Sequence, residues 1–302
     1  MSITASMVSE LRKKTGAGMM DCKKALTETG GNIDEAVDFL RKKGLSAAAK
    51  KSDRVAAEGA IVAAAAGAKG VLVEVNAETD FVAKNAEFQQ FIQGIAAVSL
   101  ESDVADVEAI KGLQFPGTGR TVAEELTHQI ATIGENMSLR RLGRCNAGEG
   151  VVVSYIHGAG KIGVLVELKT TSNDSRVEDL ARQIAMHVAA ASPQYLNRDQ
   201  VSSEVIDKEK EIMRVKAIDS GKPENIVEKI IAGQINKYFG EVCLLEQTFV
   251  IDPDLTVGKV VEKLAKDLGV GIELSNYVRY QLGEGIEKKE DDFAAEVAAL
   301  SK

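Results

Sequence analysis

The feature that most constrains this chain is a repeated order of β-like runs and helical segments. "GAIVAAAAGAKGVLVEV" (59–75) and "GVVVSYIHGAGKIGVLVELK" (150–169) each predict two strands joined by a glycine-containing turn. A helical pattern follows each pair, over Val82 to Ala97 and through "VEDLARQIAMHVAAA". The shared strings "VLVEV" and "VLVEL" align the two copies. We therefore expect an α+β fold with a duplicated core, in which each half packs helices against an antiparallel sheet.

The first fifty residues predict three short helices. Thr4 can cap the first helix, and the glycines of "TGAG" (15–18) end it. The second helix runs from Met19 to Thr29, and the third begins at Asn32, with Glu35 three residues later as in a capping box. Three short helices form a very small core, so we expect a module attached to a larger body.

The segment "RKKGLSAAAKKSDR" (41–54) is basic and rich in small residues. An RNA-contacting arm and a solvated linker both fit this composition. The absence of an aromatic residue for stacking favours the linker, with a domain boundary near Arg54. The net charge of −8 also argues against broad binding to a phosphate backbone. We expect no direct nucleic-acid partner.

The sequence divides into four parts. They are the helical module and linker (1–54), the first half of the core (55–149), the second half (150–280) and a C-terminal helix (281–302). Within the first half, Thr121 and Glu124 predict the start of a helix, and "LQFPGTGR" predicts an irregular surface loop.

A charged helical hairpin is predicted within the second half, over about 200–239. Ser220-Gly221-Lys222-Pro223 separates its two helices because this sequence cannot continue a helix. A narrow apolar seam favours a projecting hairpin over two ordinary helices packed on the core. The residues expected to face each other across the seam are Val201, Val205, Ile212 and Val215 with Ile226, Ile230 and Ile235.

No motif in the chain predicts covalent catalysis. "HGAGKIG" contains GxGxxG at Gly158, Gly160 and Gly163, but a dinucleotide site requires a helix directly afterwards, and "VLVELK" predicts a strand. A hairpin turn is the better interpretation. The three histidines are far apart in sequence, and Cys22, Cys145 and Cys243 lack metal-ligand spacing. We expect no enzyme, no cofactor and no metal site, and reduced structural thiols.

The cell compartment is predicted from two absences. No run approaches the roughly 18 apolar residues of a membrane span, and the N-terminus lacks the apolar stretch of a signal peptide. We expect a cytoplasmic protein without a membrane partner.

Two short stretches place apolar residues where they could contact a partner. Met19 and Met20 are adjacent at a glycine-flanked helix start, and a contact surface and packing against the third helix both remain open. Thr79 and Asp80 suit a second helix start, which leaves Phe81 on its first turn. From the residues alone, Phe81 is expected to anchor its own helix in the core.

Several motifs together resemble bacterial elongation factor Ts. They occur in family order along essentially the whole chain, although segment 98–122 matches less well and appears longer. The motifs are "LRKKTGAGMMDCKKAL", "VNAETDFVAKN", "HGAGKIGVLVE", "QIAMHVAA", "SGKP" and "GEGIEKKEDDFAAEVAAL". The first two are highly specific.

The resemblance implies a guanine nucleotide exchange factor that binds elongation factor Tu in its GDP-bound and nucleotide-free states. It also implies a ubiquitin-associated-like helical module and a C-terminal docking helix. The Phe of the TDFV loop (Thr79, Asp80, Phe81 and Val82) would enter the G domain of Tu and displace elements that support Mg²⁺ and phosphate binding.

Matching positions imply further contacts with the partner. They are Arg12, Met19, Met20 and Lys23 in the module, and His157 and Val250 in the second half. An apolar stripe formed by Phe293, Val297 and Leu300 suits the C-terminal helix for docking. Three alternatives remain open: self-association through the hairpin, a protein-binding adaptor without exchange activity, and a nucleotide-dependent enzyme that uses the GxGxxG segment.

Overall fold

The computed structural model describes residues 3–220 and 223–287 and has the predicted α+β class. The chain forms two compact units. Within the described residues, the first unit comprises 3–61, 73–142 and 281–287, and the second comprises 62–72 and 143–280. None of the helices in these ranges combines the length and apolarity that crossing a membrane requires.

The N-terminal module contains the three predicted helices, α1 (Ala5–Thr15), α2 (Met19–Glu28) and α3 (Ile33–Ala49). Thr4 caps α1 and Asn32 caps α3, as predicted, because their side-chain oxygens accept hydrogen bonds from backbone amides of the first turn. The small core of the module includes the buried residues Leu11, Cys22, Ala25, Leu26 and Ala36.

The prediction of a linker over 41–54 is wrong for most of that segment, because α3 continues to Ala49. The alanines and lysines of this stretch are good helix formers, and Gly44 lies within the helix. A Cβ atom at Gly44 would lie 3.6 Å from the Cβ atom of Ala131 in α7 (Val122–Ile133). The glycine therefore marks a close approach between two helices, and it does not end α3.

The first predicted strand pair is β1 (Glu58–Ala66) and β2 (Lys69–Ala77), which form a sheet of order β1-β2-β3. The helix predicted over Val82 to Ala97 is two helices, since Asn85 has extended backbone and caps a second start. Thr121 and Glu124 form the predicted capping box of α7. The remaining elements are α4 (Asp80–Ala83), α5 (Ala86–Glu101), α6 (Val107–Lys111) and β3 (Met137–Asn146).

The second half repeats this order with an inserted helical hairpin. Strands β4 (Gly150–His157) and β5 (Ile162–Thr170) pair antiparallel, with His157 opposite Ile162. The GxGxxG segment is therefore the predicted hairpin turn, and a strand follows it. The sheet order is β4-β5-β6. The other elements are α8 (Ser175–Ala191), α9 (Ser203–Asp219), α10 (Glu224–Val242), α11 (Val257–Leu268) and β6 (Ile272–Gln281).

Helices α9 and α10 form the predicted hairpin, but the predicted seam is partly wrong. Val201 and Ile235 do belong to the buried cluster, and the partly buried Val205 packs against it. Ile212, Val215 and Ile226 are exposed, and Ile230 is only partly buried. Apolar residues lie on two sides of these helices, so spacing alone did not identify the packed side. The seam is completed by Ile206, Met213, Ala217, Val227, Ile231, Phe239 and Val242.

A fully buried carboxylate lies near the middle of β2. Glu74 accepts hydrogen bonds from Nη1 of Arg140 at 2.9 Å, from Nε of Arg141 at 2.5 Å and from the backbone amide of Gly283 at 2.9 Å. Burial alone would raise the pKa of Glu74, but these donors outweigh burial and hold the pKa below its usual value. Glu74 is therefore ionised inside the first unit.

The corresponding residue of the second copy is also a buried glutamate. Glu167 in "VLVEL" accepts a hydrogen bond from the amide of Asn146 at 2.9 Å and from the hydroxyl of Ser275 at 2.7 Å. Ser275 is the fourth residue of β6, as Arg140 is the fourth residue of β3. The sequence repeat thus includes a polar contact between the second and third strands of each half.

We expect Glu74→Gln to destabilise the protein by about 2–3 kcal/mol at neutral pH, because it removes the negative partner of two half-buried arginines. The lowered pKa makes the stabilising effect of Glu74 complete above pH 4.5 and lost as the pH falls through the lower folded-state value. Denaturant unfolding between pH 3 and pH 7 measures this difference. An unchanged difference between variant and parent at every pH would contradict the prediction.

Candidate partner-binding surface

The TDFV turn places two neighbouring apolar side chains in different environments. The hydroxyl of Thr79 accepts a hydrogen bond from the amide of Val82 at 3.4 Å, which starts α4 as predicted. The side chain of Val82 is buried, and that residue is 6% exposed, whereas Phe81 is 79% exposed. Lys84 pairs with Asp80 at 2.6 Å on the outer side of the same helix. Val82 therefore anchors the turn, and Phe81 extends from it.

The exposure of Phe81 contradicts its interpretation as a core anchor. The ring faces water, so it contributes little burial to the fold. Nζ of Lys84 lies 6.0 Å from the centroid of the Phe81 ring, which is the outer limit of a cation–π contact. The contact with a partner that the resemblance implies for Phe81 stays a prediction.

Two residues that the sequence did not indicate support this turn. Both oxygens of Glu135 accept hydrogen bonds from Thr79, one from the amide at 3.0 Å and one from the hydroxyl at 2.7 Å. The neighbouring amide of Asn136 donates to the carboxylate of Glu78. These partners are more than fifty residues apart in sequence, so no local pattern could have revealed them.

The second exposed apolar surface is at the start of α2. Met19 and Met20 are 60% and 75% exposed, so they do not pack against α3 as one of the two interpretations required. Lys23 is one turn further along the helix and is exposed, as is Arg12 on α1. Two flexible apolar side chains with an exposed cation one turn away resemble the core and rim of a protein interface.

The predicted contacts of the second unit lie on a strand end and on a turn. His157 is exposed at the end of β4, and its Nδ1 is 3.0 Å from the hydroxyl of Tyr155. Val250 is 52% exposed. Each also has an exposed apolar neighbour that is not among the predicted contacts, Ile156 and Ile251. Their positions at a strand end and in a turn are the sequence signal that could have identified them, because binding residues often lie on connecting segments.

His187 holds the turn that carries Val250. Burial lowers the pKa of His187, so its imidazole is neutral at pH 7. Its Nδ1 accepts a hydrogen bond from the amide of Val250 at 3.3 Å, which leaves the proton on Nε2 to donate to Oε1 of Gln247 at 2.9 Å. The adjacent Phe249 is buried against the His187 ring. This histidine therefore has a structural role.

The polar groups give no indication of catalysis in the part of the chain that the structure covers. The three cysteines are free and buried, and burial raises the pKa of Cys145 to about 12 and that of Cys243 to about 11. Between residues 3 and 287, leaving out 221–222, no cluster of three His, Cys, Asp or Glu side chains could hold a metal ion. Phe293, Val297 and Leu300 lie outside the described residues.

Comparison with known proteins gives consistent matches. A family model described as elongation factor TS matches residues 78–284. A protein named elongation factor Ts from Syntrophotalea carbinolica is 71% identical over 303 residues, covering 100% of both chains. The proteins of that name from Magnetococcus marinus and Paramagnetospirillum magneticum are 56% and 57% identical, covering 99% and 98% of this chain and 99% and 96% of their own lengths. The whole-length matches include the N-terminal module as well as the TDFV turn.

The turn geometry predicts effects of different size on stability for two adjacent substitutions. Val82→Ala should lower the free energy of unfolding by about 1–2 kcal/mol, because it removes two buried methyl groups. Phe81→Ala should change it by less than about 0.5 kcal/mol, because the ring faces water. Equilibrium denaturation with urea measures both. A larger loss from Phe81→Ala than from Val82→Ala would show that the ring is packed in solution.

Proposed function

This chain belongs to the elongation factor Ts family, and on that premise we propose that it promotes the release of GDP from elongation factor Tu. The observation that carries the proposal is the exposed Phe81 on an anchored helix start. Its ring enters the G domain of Tu as a wedge. Partner elements that support Mg²⁺ and the phosphates are displaced, and the nucleotide leaves without any covalent change.

The burial of Phe81 alone cannot supply the free energy that is needed to release the nucleotide. Burying one phenylalanine side chain contributes about 1.5–3 kcal/mol, whereas nanomolar nucleotide binding corresponds to about 12 kcal/mol. Exchange therefore requires a broad interface whose binding energy is coupled negatively to nucleotide binding. Linkage makes this weakening mutual, so GDP also lowers the affinity of Tu for the factor.

The predicted contact residues have two proposed roles, binding to Tu and displacement of the nucleotide. Met19 and Met20, with Arg12 and Lys23, supply binding energy at the N-terminal module. His157 and Val250 do the same at the second unit. The segment with Phe293, Val297 and Leu300, which the sequence predicts to be a docking helix, would add area. Phe81 differs from these residues because its contact forms where the nucleotide site is disrupted.

The test of the function is GDP release from the cognate elongation factor Tu. Tu carrying fluorescent GDP is mixed with excess unlabelled GDP and a concentration series of the chain, and the release rate is followed. The proposal expects a rate that rises and saturates. Binding to Tu without faster release would instead indicate an adaptor. Binding of NAD, GDP or ATP to the isolated chain, measured by calorimetric titration, would indicate a nucleotide-dependent protein.

Single substitutions should separate displacement from binding. We expect Phe81→Ala to lower the saturating release rate while changing the half-saturating concentration little, because the wedge acts after docking. Met20→Ala should raise the half-saturating concentration about tenfold and leave the saturating rate near that of the parent, since an exposed interface residue contributes on the order of 1–2 kcal/mol.

Leu45→Ala is the matched control for these variants, because Leu45 is an exposed apolar residue of the same helical module with no assigned contact. It should leave both parameters unchanged. Equal losses of saturating rate and affinity in Phe81→Ala and Met20→Ala would contradict the division of roles.

Self-association through the helical hairpin stays a prediction. Ile212, Val215 and Ile218 are exposed at spacings of three along α9 and are the residues that a second copy would cover. If they associate, sedimentation equilibrium should show a concentration-dependent mass, and Val215→Lys should restore the monomer mass, because a charge buried at such a contact is costly. A monomer mass for the parent chain at all concentrations would rule the association out.

A further inference from the structure

We propose that Glu135 and Asn136 form a positioning node that fixes Phe81 relative to the N-terminal helical module. The inference rests on the proposed exchange function and adds to it the residues on which the orientation of the wedge depends. Neither Glu135 nor Asn136 is among the predicted partner contacts. All the groups that form the node and hold Phe81 belong to the first unit.

The node holds the wedge through Thr79. The two oxygens of Glu135 receive the amide and the hydroxyl of Thr79, at 3.0 Å and 2.7 Å. Hydrogen bonds to a charged acceptor are stronger than neutral ones, and two of them fix both the position and the rotation of the group that they bind. Thr79 is the N-cap of α4, so the clamp sets the direction in which this helix begins.

The same node holds the end of the helical module. The side-chain amide of Asn136 donates to the carbonyl oxygens of Arg54 at 2.7 Å and Ser52 at 3.4 Å. Its backbone amide donates to Glu78, whose carboxylate also pairs with Arg54 at 3.5 Å. Three chain segments, 52–54, 78–79 and 135–136, therefore meet through hydrogen bonds at one point.

Helix α7 connects the node to the body of the module. Gly134 ends α7 in the left-handed conformation, with φ of +90°, so the chain turns directly into Glu135. At the other end of α7, Glu124 pairs with Arg41 of α3. Gly44 lets the two helices approach closely between these points. The node therefore follows directly after α7, a helix that packs against α3 of the module.

The wedge needs this support because α4 is short. A helix of four residues, Asp80–Ala83, forms one turn, and a single turn has little stability of its own. The direction of Phe81 is consequently determined by what holds the helix at Thr79, and by the buried Val82. Loss of the two hydrogen bonds between Thr79 and Glu135 should leave Phe81 in the wrong orientation when the module binds Tu.

The test measures fluorescent GDP release from Tu with full-length variants. Glu135→Ala removes both acceptors, and Glu135→Gln keeps one oxygen. We expect Glu135→Ala to lower the saturating release rate about tenfold, with a half-saturating concentration within about twofold of the parent, because lost charge-assisted hydrogen bonds misplace the wedge. Glu135→Gln should fall between Glu135→Ala and the parent chain. Glu149→Ala, at an exposed glutamate outside the node, should match the parent.

A double-mutant cycle with Phe81→Ala separates positioning from a general structural role. If Glu135 acts through the ring, Glu135→Ala should cause no further loss of rate in a Phe81→Ala background. A further loss of about tenfold there would overturn the proposal, because the effect would then bypass Phe81. A parent-like saturating rate for Glu135→Ala, in a chain with parent-like circular dichroism, would overturn it as well.

The outcome also distinguishes this inference from the proposed function. If the parent chain does not accelerate GDP release, the proposed function fails and the node cannot position a wedge for exchange. If the parent accelerates release and Glu135→Ala does so equally, the function stands and the positioning role is wrong. Circular dichroism and thermal unfolding of each variant verify that the chains compared are folded.

Discussion

The ionised carboxylate of Glu74 is the interaction on which the first unit depends. A buried charge without partners costs several kcal/mol, so the residues that satisfy it must be brought to it. Arg140 and Arg141 on β3 and the amide of Gly283 supply those partners from positions 66 to 209 residues away. The charge therefore specifies which strand lies beside β2 and where the chain passes on its way to the C-terminus. In the second half, the buried Glu167 accepts hydrogen bonds from the amide of Asn146 and the hydroxyl of Ser275.

The proposed contact residues share a local design in which a buried neighbour holds an exposed apolar side chain. Val82 is buried beside Phe81, and Phe249 is buried beside Val250. In α2, the buried Cys22 follows Met19 and Met20. Stability and recognition thus use adjacent but separate residues, so an exposed side chain can change without loss of the fold. A side chain presented from an anchored turn also loses less conformational entropy when it binds.

Local chemistry explains which features were predictable from sequence. Thr4, Asn32, Thr79 and Thr121 were recognised as helix starts because capping depends on residues within one turn. The GxGxxG segment was recognised as a hairpin turn because the strand pattern continues directly after it. Such features need no knowledge of distant parts of the chain.

Features that depend on distant packing could not be predicted in this way. The segment from Arg41 to Arg54 resembles a linker because it is basic and rich in small residues, whereas the packing of Gly44 against Ala131 in α7 involves a residue remote in sequence. The hairpin helices carry apolar residues on more than one side, and only the packed structure shows that Ile212 and Val215 face outward. The clamp on Thr79 by Glu135 joins positions 56 residues apart.

The fixed orientation proposed for Phe81 would have a thermodynamic consequence for exchange. A ligand shifts an equilibrium only by its difference in affinity between two states. A wedge on a flexible loop could leave the nucleotide site while the rest of the interface stayed bound, and the GDP-bound complex would then lose little stability. A wedge fixed to the binding module cannot withdraw without breaking other contacts. In the proposed mechanism, the stabilisation that Met19 and Met20 provide at the interface would then oppose nucleotide binding, which is the negative coupling that an exchange factor requires.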